Sequence, residues 1–80
     1  MNSIEELFFA REEALREASA LHDTFTLRCS EWSKDRFDHD ATLRLREADK
    51  NLNRAKRRIV LLQKEIEAAR ARFVIAAREG

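Results

Sequence analysis

The chain has no proline and no tyrosine, a single glycine at its last position, and one cysteine, Cys29, among 80 residues. Without proline or internal glycine it lacks the usual punctuation of turns and sheets, so an all-α chain is expected. One cysteine cannot close an intrachain disulfide, which excludes a disulfide-stapled scaffold. No apolar run approaches the roughly 18 residues that read as a membrane-spanning helix. Met1–Leu7 carries Glu5 and Glu6 where a secretory leader has its basic segment, so no signal peptide and a cytoplasmic location are expected.

What is present is charge. Charged residues make up 39% of the chain and hydrophobic ones 44%, with 16 Lys+Arg against 15 Asp+Glu. That is too apolar for simple disorder and too charged for a thick core. A chain this short forms at most one domain, here a helical hairpin over 1–80, whose small core needs further support.

The second half carries the clearest pattern. Leu45, Leu52, Ile59, Ile66 and Phe73 recur every seven residues, interleaved with Ala48, Ala55, Leu62, Ala69 and Ala76. Such spacing keeps a narrow apolar seam facing a partner helix and imposes a left-handed supercoil, predicting a helix over about 40–78. Bulky residues in one register and mostly alanine in the other predict close approach of the two helices.

In the first half, Ser3-Ile4-Glu5-Glu6 is a capping-box pattern that starts a helix. Ile4, Leu7, Ala14, Ala18, Leu21, Phe25 and Trp32 follow at three- and four-residue steps, interrupted at Arg11 and Arg28, and carry the helix to about residue 34. The stretch Asp23-Thr24-Phe25-Thr26 is its weak point, since Asp23 could act as a fresh N-cap and divide it.

The two seams do not share one frame, so the chain is expected to fold back as an antiparallel two-helix coiled-coil hairpin, about 3–34 and 40–78. The turn belongs in Ser33–Asp40, the only stretch dense in capping residues, with Asp38 or Asp40 capping the second helix. Charge agrees: residues 1–35 carry four basic and eight acidic side chains, and 36–80 carry twelve and seven, so the halves attract. Glu12, Glu13 and Glu17 are expected opposite the Arg57, Arg58 and Lys64 region, and Glu5 and Glu6 opposite Arg70 and Arg72. Exposed pairs contribute about 0–1 kcal/mol each, so they select orientation more than they stabilise.

Apolar residues that a two-helix seam cannot bury are the candidate functional residues. Phe8 and Leu15 begin a second stripe on helix one that continues through His22 and Cys29. Val60, Leu61, Val74 and Ile75 lie outside the core of helix two, and Phe8, Phe9, Phe73, Val74 and Ile75 are expected to cluster at the open end. They predict either self-association into a four-helix bundle or docking on another protein.

Chemistry is not expected. His22 and Cys29 share a face, but seven residues of helix separate them by about 10.5 Å, too far for a thiol and its base. His39 between Asp38 and Asp40 reads as turn and capping chemistry. No phosphate loop, metal-ligand spacing or nucleophile motif is present, so no catalytic, metal or cofactor site is expected. The basic run Arg54-Ala55-Lys56-Arg57-Arg58 is the one feature suggesting nucleic acid. With near-zero net charge and no interleaved aromatics, a solvated cationic face with Lys50, Arg57, Lys64 and Arg78 outward is the preferred reading, and Lys56 and Arg58 are expected to meet the acids of helix one. Trp32 is expected in the core near the turn, with Phe37 folded over the same end.

Ile4-Glu5-Glu6-Leu7-Phe8-Phe9, followed by Arg11-Glu12-Glu13-Ala14, resembles the start of the small helical-hairpin co-chaperones of bacterial type III secretion; the later half is similar to them by pattern alone. The resemblance implies a short cytosolic two-helix protein, without active site or cofactor, that joins a second chaperone to hold the needle subunit before export. On that reading Phe8, Leu15, Val60 and Leu61 contact the partner. The rival expectation is a homodimeric regulator, phage- or plasmid-like in size, acting on a protein or on nucleic acid through its outward basic face.

Overall fold

A computed structural model describes residues 3–79; of the domain expected over 1–80, residues 1, 2 and 80 lie outside the described residues. It is an all-α hairpin of two helices, α1 (Ile4–Lys34) and α2 (His39–Glu79), packed along each other in a rod about 65 Å long. The backbone amide of Glu6 donates to the Ser3 Oγ at 3.2 Å, and Ser3 itself is extended, so the capping pattern starts α1 as the sequence indicates.

α1 is continuous through Asp23–Thr26. The Thr24 and Thr26 hydroxyls donate back to the carbonyls of Ala20 and His22, at 3.2 and 3.0 Å. The competing polar groups are thereby spent within the helix, and Asp23 starts no new one.

The reversal occupies Asp35–Asp38. Asp38 caps α2, its carboxylate Oδ1 accepting from the amides of Asp40 (3.0 Å) and Ala41 (3.3 Å). The Phe37 amide donates to the Asp35 Oδ1 at 3.1 Å and the Asp38 amide to the Asp35 carbonyl at 3.3 Å. This turn holds Phe37 outward, 99% exposed, so the expected folding of its ring over the end of the hairpin does not occur.

The seam is thin. Its buried residues are Leu7 and Ala14 from α1 with Ala41, Ala48, Leu52, Ala55 and Ile66 from α2, so four of the seven are alanines that let the helices approach closely but bury little area each. Leu45, Ile59, Leu62 and Ala69 are half-buried beside them, in the two registers expected. On α1 the seam runs through Leu7, Arg11, Ala14, Ala18, Leu21, Phe25, Arg28 and Trp32. Its two charged members therefore sit in the frame rather than outside it.

The Arg58–Glu17 pair (3.4 Å), the Arg44–Glu31 pair (3.7 Å) and the Arg70 guanidinium over the Phe8 ring mark the register of one helix on the other. Extending it by the helical rise brings Ile4 level with Arg72. The last turns of α2 consequently run beyond the start of α1.

Candidate interaction surface

That overhang changes the fifth heptad of α2. Phe73 occupies the heptad position of Ile59 and Ile66, yet it is 73% exposed, lying just past the level of the first residue of α1. Val74 and Ile75 beside it are exposed as well. The expected cluster at the open end divides accordingly. Phe9 on α1 is 60% exposed, and on α2 Phe73 stands in the seam register while Val74 and Ile75, both exposed, follow it at successive 100° steps around the helix. These side chains do not share one face, because residues one or two apart on a helix diverge by 100–200°.

Phe8, expected among the partner-contact residues, has a neighbour on α2. It is half-buried, with the Arg70 guanidinium 5.2 Å from its ring centroid. Here Arg70 serves as a cation–π lid rather than as a partner of Glu5 or Glu6. Leu15, one heptad on, remains exposed, while Cys29 at the end of the same stripe is half-buried.

Val60 and Leu61 are 53% and 60% exposed and line a shallow depression on α2 with Asn53, Lys56 and Arg57. Apolar contact rimmed by cations suits an acidic amphipathic helix. Nearer the turn, Arg46, Lys50, Arg54 and Arg57 border a second depression, tempered by Asp49. Arg58 meets Glu17 as the sequence suggests, and Glu12 pairs with Arg16 on its own helix at 3.9 Å.

At the turn end Trp32 is half-buried and Arg36 lies over its ring, 5.3 Å from the centroid. Arg28 bonds Glu31 at 2.9 Å, and Glu31 also reaches Arg44, so this charged seam position is satisfied across both helices. Arg11 differs: its Nε is buried without a hydrogen-bond partner. Among the described residues no three His, Cys, Asp or Glu side chains are grouped as metal ligands would be, and no helix is long and apolar enough to cross a membrane.

Three features escape a reading of spacing alone: the overhang, the Arg70 lid and the buried Arg11 Nε. The first was foreshadowed by the heptad frame of α2 continuing to Phe73 and Ala76, longer than α1 can match. Comparison of the chain with protein-family models, curated proteins and solved structures finds no match.

Proposed function

We propose that this chain is a non-enzymatic protein-interaction module, a small cytoplasmic adaptor or co-chaperone that packs exposed apolar helical surface against a partner helix. The observation that carries this is Phe73, a seam residue 73% exposed on a helix that outruns its intrachain partner. A hairpin whose seven buried residues include four alanines has little stability to spare, and an apolar seam left open is favourable to fill. The partner helix presents an apolar stripe with an acidic flank, matching Arg72 next to Phe73. In the co-chaperone form of this reading, prompted by the N-terminal resemblance, the occupant is a second chaperone that together with this chain holds a needle subunit.

The test is a photo-crosslinking residue at Phe73 in cells of the native host. One dominant adduct, absent when the probe sits at Ser19 and lost from pull-downs of Phe73→Asp with helicity intact, supports the module. Crosslinks no different from those at Ser19 refute it. The depression bordered by three arginines and a lysine, Arg46, Arg54, Arg57 and Lys50, favours a second reading, nucleic-acid contact by a homodimer. That reading requires binding to duplex or single-stranded oligonucleotides that collapses between low and moderate salt.

A further inference from the structure

We infer that the outward face of α2 over residues 46–64 binds the phosphate backbone of a nucleic-acid duplex, without regard to base sequence. This rests on the nucleic-acid reading above and deepens it, naming the form of nucleic acid and the side chains that grip it.

A near-neutral net charge conceals a strong segregation. From Arg46 to Lys64 stand seven cations and two acids, Glu47 and Asp49. At 100° per residue, Arg46, Lys50, Arg57 and Lys64 fall within about 40° of arc on α2, with Arg54 at the edge of the stripe. All five are exposed, and none makes an ion pair among the described residues. A solvated helix face commonly offsets charges four residues apart, as Glu12 and Arg16 do on α1. Arg46–Lys50 and Lys50–Arg54 instead repeat one sign at that spacing, a repulsion that a bound polyanion relieves.

The same face selects among polyanions. The depression bordered by Arg46, Lys50, Arg54 and Arg57 is completed by Asp49 and Asn53, so its lining is wholly polar. An acidic amphipathic helix or an anionic bilayer takes hold through apolar contact as well as charge, and α2 offers that only further on, at Val60 and Leu61. Phosphates need only cations and hydrogen-bond donors, and guanidinium groups present theirs in the forked geometry that suits phosphate oxygens. Such contacts carry no base information. No aromatic residue lies between 46 and 64 to stack on an unpaired base, which favours a duplex over a single strand. The stripe rises about 27 Å along α2, the length of about eight base pairs, so several phosphates can be met at once.

The experiment follows fluorescence anisotropy of labelled DNA and RNA duplexes, each in two unrelated sequences, titrated with the full chain over a range of salt. Equal affinity for the two sequences is expected, with a log–log salt slope of about −4 to −5 for five phosphate contacts. Lys50→Gln and Arg57→Gln should each weaken binding about eightfold near 0.1 M salt and flatten the slope by about one. Asp49→Asn should strengthen it, while Arg72→Gln and Phe73→Asp, outside the stripe, leave it unchanged. Circular dichroism on each variant checks that the hairpin stays helical. Binding to either duplex with these dependences supports the inference, and the tighter of the two identifies the source of the backbone. Indifference to Lys50→Gln and Arg57→Gln, or displacement of the duplex by poly-glutamate as readily as by unlabelled duplex, overturns it. Binding to single strands alone defeats the duplex assignment and leaves the broader nucleic-acid reading standing. Binding to neither form defeats both, and the Phe73 crosslink then judges the adaptor separately.

Discussion

The Arg70 guanidinium on α2 lies 5.2 Å from the centre of the Phe8 ring on α1, covering the one large aromatic side chain that the first turns of α1 set beside the seam. Removing that lid by Arg70→Ala is expected to cost about 0.5–1 kcal/mol and to raise the exposure of Phe8. Thermal unfolding followed by circular dichroism reads the loss, and Arg70→Lys should recover only part of it, because an ammonium lacks the planar stacking of a guanidinium.

Arg11 is a stability cost within the seam, its Nε buried without a partner. Arg11→Leu is expected to stabilise the hairpin by about 1 kcal/mol, since an unsatisfied polar atom is exchanged for apolar contact of similar reach. The midpoint of urea unfolding should rise, and a fall would mean that the rest of the guanidinium contributes more than the Nε costs.

Ile66 is the most deeply buried large side chain, at 1% exposure. Ile66→Ala should cost about 2–5 kcal/mol. In a seam this thin that is expected to abolish cooperative unfolding altogether, seen as a gradual loss of the 222 nm signal on heating rather than a sigmoid.

Asp38 holds the first turn of α2 through two amide hydrogen bonds, at 3.0 and 3.3 Å. Asp38→Ala should destabilise by about 1 kcal/mol, while Asp40→Ala, whose side chain makes no cap, should change stability by a few tenths at most. Paired melts of the two variants separate capping from a general effect of removing negative charge at the helix start.

The ion pair of Arg58 with Glu17 at 3.4 Å joins two side chains that are each more than half exposed. A double-mutant cycle with Arg58→Ala and Glu17→Ala is expected to return a coupling below about 1 kcal/mol that shrinks further with added salt. A larger, salt-insensitive coupling would show that the pair holds the hairpin register rather than choosing its orientation.

Much of the hairpin is legible in the sequence because its determinants are local. The step from Leu45 to Leu52, Ile59 and Ile66 is a helical period that any seven-residue window reveals. Ser3 and Asp38 cap helices within three residues of themselves. The failures are equally specific. Phe37 reads as a core residue by hydrophobicity, but hydrogen bonds to Asp35 decide where the turn aims it. Phe8 reads as free because its cover comes from Arg70, sixty-two positions along the chain, whose use depends on how the helices align.

The sequence by itself determined two helices, their caps, the reversal between Lys34 and His39 and the apolar seam, because periodicity, capping chemistry and the lack of proline and internal glycine act over a few residues. Only the tertiary structure decided the register of α1 on α2, because register is set jointly by all the side chains that interlock along both helices. From it follow the burial of the Arg11 Nε, the cover over Phe8 and the exposure of Phe73 beyond the start of α1.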